Sequence, residues 1–189
     1  EAIALSHGHM DHAGGLLGAW EEGKEPGLLF PRATFHVGET AWERATHPHP
    51  RDRASFIPAL HRQMEHSGRL HLVGRGEALS FDGLEVQFFP SEGHTPGLLC
   101  ADLRFDQGRL VFPSDLIPGS AWVHLPISMG YDRFPEQLIN EKTDLLTTLA
   151  EENAWIYYVH DPRFAASKVR WDDTHTTFIV IDAREELQL

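Results

Sequence analysis

The chain has 189 residues, among them 16 Lys and Arg, 28 Asp and Glu, 13 His and a single Cys. A chain of this length can bury roughly 70% of its unfolded surface as one compact domain, and one Cys excludes both an intramolecular disulfide framework and a Cys-rich zinc knot. The formal charge of −12 disfavours a polyanionic partner, so nucleic acid is not expected to bind.

The sequence contains no apolar run of the roughly 18 residues that a membrane-spanning helix needs, and no signal segment opens it. Together with the single Cys, these features predict a cytoplasmic protein that does not bind a membrane. Because the chain begins at Glu1 rather than Met, we expect that a preceding segment has been removed.

The predicted elements of the first part of the chain follow from short apolar runs and their breakers. In chain order they are a buried strand at 2–6, a short helix at 14–20, a strand at 33–37, a helix at 39–46, a proline-rich loop at 47–52, a helix at 56–66 and a strand at 70–73.

The second part of the chain is predicted to be richer in strands. Residues 84–89 alternate between apolar and polar and form a half-buried strand that Pro90 is expected to end. Residues 116–134 lack periodicity, which is typical of a binding loop or lid. The other elements are strands at 98–105 and 110–112 around a turn at 106–109, a helix starting at Pro135 in which Lys142 is expected to snorkel, a buried strand at 154–159 and a last strand at 176–181.

The run His7-Gly8-His9-Met10-Asp11-His12 places four potential metal ligands within six residues, directly after a strand. In an extended turn, His7 and His9 point one way and can bind one ion, while Asp11 and His12, beyond a change of direction, can bind a second. Imidazole nitrogen with carboxylate oxygen suits zinc, although iron, manganese and cobalt accept the same ligands. The loop offers only two ligands per ion, so further ligands must come from elsewhere.

Three residues at the ends of predicted strands are candidates for the missing ligands. They are His94 in Gly93-His94-Thr95-Pro96-Gly97, Asp115, and His160. Each has a capping or turn role as its alternative. Cys100 lies in an apolar strand and is interpreted as a core residue, because a reactive thiol needs an exposed electropositive environment.

The run from Ser6 to Gly15 resembles the signature of the metallo-β-lactamase superfamily, and the motif around His94, Asp115 and His160 resembles its later motifs in order. The resemblance implies an α/β (α+β) fold, a four-layer αββα sandwich forming a single domain over 1–189, with the N-terminal strands of the first sheet missing. Without these strands, the first sheet would expose an edge. We therefore expect that a segment is missing, that a partner in a homodimer covers the edge by swapping, or that the chain is a poorly stable fragment. Ser114 stands where the family commonly has Gly.

The resemblance also implies a ligand set and a chemistry. His7, His9 and His94 would bind one metal, Asp11, His12 and His160 the other, and Asp115 would bridge two divalent ions, for which zinc is favoured over iron or manganese. We expect a hydroxide bound to both ions to attack a small ester, lactone or thioester, with Asp11 orienting this nucleophile or passing on its proton.

Within the family, a site with Asp115 and without a Cys ligand resembles the branch that contains lactonases, glyoxalases and ester hydrolases. The negative charge disfavours a phosphodiesterase. Two alternatives remain open: a mononuclear iron oxidoreductase of the sulfur-dioxygenase kind, and a non-catalytic fragment. A small, partly apolar substrate is expected to meet a pocket wall that is formed by Trp122, His124, Met129 and Tyr131.

Overall fold

The computed structural model describes residues 1–81, 83–106 and 108–187. The chain divides into two compact units, Glu1–Arg75 and Gly76–Leu189. Each unit combines one β-sheet with helices, so the predicted mixed α/β fold class is confirmed. In the described residues, no helix has both the length and the apolar character that crossing a bilayer requires.

The first unit is built on a three-stranded parallel sheet in the order β1-β2-β3. Parallel strands need crossover connections, and helices fill the crossover from β2 to β3. The strands are β1 (Ala2–Leu5), β2 (Thr34–Gly38) and β3 (Leu70–Val73), and the helices are α1 (Met10–Ala13), α2 (Glu39–Thr46) and α3 (Pro58–His66). The core of this unit forms around Phe35, Leu60 and Met64.

Two predictions for the first unit are wrong. The strand at 2–6 is not a buried strand, because β1 lies at the edge of the sheet and only Leu5 in it is buried. The short helix begins at Met10 rather than at residue 14, and a single 3₁₀ turn, Gly14–Leu16, follows it. The helix therefore includes the second half of the histidine motif, which supplies the predicted change of direction after His9.

The second unit is built on a seven-stranded sheet in the order β10-β9-β8-β7-β6-β5-β4. Neighbouring strands are antiparallel except β7 and β8, which are parallel and are joined through the long helix α4 (Pro135–Glu151). The strands are β4 (Ala78–Phe81), β5 (Leu84–Ser91), β6 (Leu98–Phe105), β7 (Gly108–Phe112), β8 (Trp155–Tyr157), β9 (Ala166–Asp172) and β10 (Thr177–Arg184).

Several strand predictions in this unit are confirmed and others are not. β6 and β7 pair as the predicted hairpin, although Gln107 in its turn lies outside the described residues. Pro90 does not end β5, since it pairs with Leu99 of β6. β4 begins at Ala78, opposite Gln87, and does not extend as far as Pro90. The nitrogen of Pro90 therefore faces no partner strand, and the sheet loses no hydrogen bond. β4 and β9 are not among the predicted elements.

The core of the second unit lies between α4 and the sheet. Leu138, Leu146 and Leu149 of α4 pack with Val111 of β7 and Ile156 of β8. Cys100 belongs to the same cluster, as predicted, and burial raises the pKa of its thiol. This packing fixes the strand ends from which the candidate site residues of this unit come.

Lys142 does not snorkel to solvent as predicted, because its side chain is fully buried on α4. Its Nζ donates hydrogen bonds to the carbonyl oxygens of His124 at 3.2 Å and Ile127 at 2.7 Å. The loop at 124–127 thus covers the amine and is held by it. Desolvation by burial lowers the pKa of Lys142 to about 8, and the charge of Asp132 only partly opposes this.

We expect the buried amine to make the free energy of unfolding rise with pH in alkaline solution. Between pH 8 and pH 10.5 the unfolded chain keeps a proton on Lys142 that the native chain has lost, so stability increases across this interval by at most about 3 kcal/mol. Urea unfolding at several pH values, compared with the Lys142→Met variant, measures the effect. A variant with the same pH slope as the parent chain would contradict it.

Candidate functional site

The histidine motif of the first unit brings three imidazoles together at the end of β1. His7 Nε2 lies 2.9 Å from His9 Nδ1, and the ring of His12 lies 4.3 Å from that of His7. His7 and His9 are buried, whereas the Asp11 side chain is exposed and lies with Oδ2 3.5 Å from His12 Nε2. The predicted ligands of this segment therefore form one cluster, with Asp11 at its solvent side.

The backbone of the motif is held close to the rest of the first unit at Gly8. A Cβ at this position would lie 2.9 Å from the Cβ of Ala45 and 3.4 Å from the ring of Phe56. The ring of Phe56 also contacts that of His9, with centroids 5.1 Å apart. Glycine is needed here because of close approach, and the resulting contact with Phe56 orients the His9 ring.

The second unit brings its three predicted ligands together around one carboxylate. Asp115 Oδ2 lies 3.2 Å from His94 Nε2, and Asp115 Oδ1 lies 3.4 Å from His160 Nε2. His94 and Asp115 are buried, while His160 is partly exposed. Each oxygen of Asp115 thus faces a different imidazole.

Asp115 occupies a 3₁₀ turn, Ser114–Leu116, that follows β7. The preceding Ser114 is fully buried and has a φ of 48°, in the left-handed region that glycine adopts without strain. This backbone conformation explains why a glycine suits the position, and it turns the chain so that Asp115 faces the two histidines.

Asp132 is a site residue that the sequence analysis does not identify. Its Oδ1 lies 2.8 Å from His94 Nδ1, and its Oδ2 accepts a hydrogen bond of 2.6 Å from the amide of Met129. A carboxylate on one ring nitrogen of a histidine orients the ring and makes the other nitrogen a better ligand. Its position in an irregular loop, 38 residues from His94, gives no local sequence signal.

Glu141 of α4 holds the segment that carries His94. Its carboxylate accepts hydrogen bonds from Ser91 Oγ at 2.6 Å and from the amides of Glu92 and Gly93, both at 3.1 Å. The carbonyl of Gly93 in turn accepts from the amide of Phe134 at 2.8 Å. The loop before His94 is therefore fixed to the N-terminal half of the long helix.

Asp161 performs the same task beside His160. It accepts hydrogen bonds from the amides of Ser120, Arg163 and Phe164 at 2.7, 2.9 and 2.8 Å. Burial opposes its ionisation, but the hydrogen bonds from Ser120 and from these amides outweigh that effect and lower the pKa of Asp161 to about 2. The amide of His160 donates to the carbonyl of Pro118, so the turn at 160 and the loop at 118–120 are held as one piece.

The four residues predicted to form a pocket wall lie in different surroundings. Tyr131 is exposed, its ring lies 5.9 Å from that of His94, and its hydroxyl donates to Met129 Sδ. Trp122 packs against the core of the second unit, and His124 Nδ1 lies 3.2 Å from Thr177 Oγ1. Within the second unit, Tyr131 is thus the member of the set that is shown beside a candidate ligand, and Met129 contacts it through Tyr131.

The donor chemistry of both clusters fits divalent transition-metal ions. The first unit offers the imidazole nitrogens of His7, His9 and His12, and the second offers two imidazoles on either side of the Asp115 carboxylate. Imidazole nitrogen and carboxylate oxygen are the ligands that zinc binds in catalytic sites. The second-unit cluster also includes Asp132 as an outer carboxylate, a common partner of metal-binding histidines.

A sequence profile described as the metallo-beta-lactamase superfamily matches residues 1–160. A comparison with curated protein sequences gave no significant match.

Solved structures of similar fold include metal-dependent hydrolases. A probable metal-dependent hydrolase from Staphylococcus aureus is 23% identical, with a TM-score of 0.76 over 96% of this chain and 62% of that protein. AidC, a dizinc quorum-quenching lactonase in complex with a product, is 22% identical, with a TM-score of 0.75 over 100% of this chain and 65% of its own. The hydrolase AbOPH is 20% identical, with the same TM-score and coverage. The chain thus spans less than two thirds of the length of these proteins.

Proposed function

The chain belongs to the metallo-beta-lactamase superfamily, and from this premise we propose that it is a metal-dependent hydrolase whose two ligand clusters together hold two divalent ions. The observation that carries the proposal is Asp115, a buried carboxylate whose two oxygens face two different imidazoles. A carboxylate placed in this way suits a bridge between two ions. The donor types favour zinc, with iron or manganese as the alternatives.

The chain's own residues divide the work of such a site. His7, His9 and His94 would hold one ion, and Asp11, His12 and His160 the other. Two divalent ions, when bound, lower the pKa of a water molecule and polarise the electrophile that it attacks. The exposed carboxylate of Asp11, next to His12, is suited to orient the attacking water or to accept its proton.

The substrate that we propose is a small ester, lactone or thioester. A formal charge of −12 repels a polyanion, and two divalent ions offset only part of it. The exposed ring of Tyr131, which flanks His94, offers an apolar face to a small substrate. The similarity in fold to AidC, a dizinc quorum-quenching lactonase, also supports this substrate class.

Metal content and a substrate panel test the proposal together. We expect two zinc ions per chain and turnover of lactone, ester or thioester substrates above that of phosphodiesters. One iron per chain with oxygen consumption would overturn it, because that result indicates an oxidoreductase. Bound metal without turnover across the panel would also overturn it.

Asp132→Asn is expected to weaken metal binding without unfolding the chain. The amide keeps the shape of the carboxylate but has one acceptor oxygen instead of two. It therefore cannot accept from both His94 Nδ1 and the Met129 amide, and it lacks the negative charge that supports the ring. Loss of such a partner lowers metal affinity by about 10- to 100-fold, measurable by competition with a zinc chelator. Asp144→Asn, an exposed carboxylate on α4, is the control. Equal affinities in the two variants would contradict the role of Asp132.

A further inference from the structure

A pocket of about 330 Å³ lies within the first unit, and none of the residues that line it belongs to the histidine motif. The C-terminal end of α2, the loop that follows it and α3 enclose it. Apolar walls are provided by Ala45, Pro48 and Phe56, and the charged or polar groups that matter are Arg53, His61 and Arg62. The volume lies at the lower end of the range for small-molecule sites.

His61 is the buried polar group of this pocket. Its side chain is only 6% exposed, and within the described residues its Nε2 has no hydrogen-bond partner. Its ring packs edge-on against Trp42, with centroids 5.5 Å apart. A buried polar group without a partner costs free energy in a folded chain, and because His61 is among the residues that line the pocket, this points to a ligand that partners its ring. Burial lowers the pKa of His61, which leaves a neutral ring able to donate one N–H.

The charge at the rim selects the ligand's polar group. Arg53 is exposed at the rim and, in the part of the chain that the structure describes, makes no ion pair. Arg62 is already bonded to Glu25 at 2.6 Å, and the acidic Glu65 also borders the pocket. Arg53 is therefore the cation available to a ligand, and a guanidinium favours a carboxylate.

We propose that this pocket binds a small organic monocarboxylate, whose carboxylate meets His61 and Arg53 and whose apolar body lies against Ala45, Pro48 and Phe56. The site uses none of the proposed metal ligands, so it goes beyond the proposed hydrolase activity. It adjoins the histidine motif through Phe56, whose ring also contacts that of His9.

Calorimetric titration of hexanoate into the full chain, with and without EDTA, tests the proposal. We expect saturable binding of one hexanoate per chain in both conditions. Hexanamide should bind at least about tenfold more weakly, because it lacks the negative charge that pairs with the guanidinium of Arg53. The absence of saturable binding would overturn the proposal. Binding that disappears with EDTA would assign hexanoate to the metal ions and would overturn it as well, while the proposed hydrolase could still be correct.

Variants locate the site. Arg53→Gln and His61→Leu should each weaken hexanoate binding by about tenfold, whereas the exposed neighbours Arg51→Gln and His66→Ala should leave it unchanged. His61→Gln should restore part of the affinity through its amide N–H. If His61→Leu fails to fold, as judged by circular dichroism, the Arg53→Gln and Arg51→Gln pair decides. Equal affinity in that pair would overturn the proposal.

Discussion

The Asp115→Ala variant is expected to lose bound metal and to lower hydrolytic turnover by at least about a thousandfold. Asp115 is the group that both His94 and His160 face, one with each carboxylate oxygen. Removal of the ions forfeits several kcal/mol of transition-state stabilisation, which corresponds to this factor in rate. Metal analysis of the purified variant and steady-state kinetics on a lactone substrate measure the two effects.

The matched control is Asp144→Asn, which removes an exposed carboxylate from the same unit. It should keep both its metal and its activity. Circular dichroism should show that Asp115→Ala remains folded, since the side chain it removes is small. Full metal content in the folded Asp115→Ala chain would contradict the bridging role.

Gly93→Ala is expected to destabilise the chain by about 3 kcal/mol, near the upper end of the usual cost of overpacking. A Cβ at this position would lie 2.3 Å from the Cα of Leu138 and 2.5 Å from its backbone nitrogen, and backbone cannot move aside as a flexible side chain can. α4 must therefore shift, or the segment leading to His94 must. The free energy of unfolding in urea measures the cost, and metal affinity should fall together with it.

Gly130→Ala is the control for this substitution, because an added Cβ there meets no atom within 4 Å. Its free energy of unfolding should stay within about 0.5 kcal/mol of the parent value. A Gly93→Ala chain as stable as Gly130→Ala would show that α4 does not press against this loop.

Local patterns in the sequence were sufficient to predict most of the helices and strands. The alternation in β5 and the apolar face of α4 each depend on neighbours a few residues apart, and both elements begin at the residue where they were expected to begin. Predictions failed where a distant partner decides the outcome. Pro90 can continue a strand because β4 does not extend as far as this residue. Lys142 is buried because a loop 15 to 18 residues earlier in the chain covers it.

The residues of the candidate site also fall into those that short spacing predicts and those that only distant contacts bring together. The spacing in the histidine motif indicated that His7 and His9 bind one ion and that Asp11 and His12 bind a second. The structure brings the four side chains close together, and their division between two ions stays a prediction. The residues that orient the other candidate ligands were not identified. Asp132, Glu141 and Asp161 reach their partners across 38, about 50 and 41 residues of sequence, so no local pattern records them.

The sequence by itself therefore determined the family, the candidate ligands and the strand ends that carry them, because these features depend on residue identity and short spacing. Only the tertiary structure decided which carboxylates lie beside the candidate ligands and where His61 comes to lie. It also showed that the backbone at Gly8 and Gly93 lies too close to neighbouring atoms to leave room for a side chain. Hydrogen bonds and contacts of this kind join segments that are far apart in the chain, and they form only when the helices and sheets of each unit have packed.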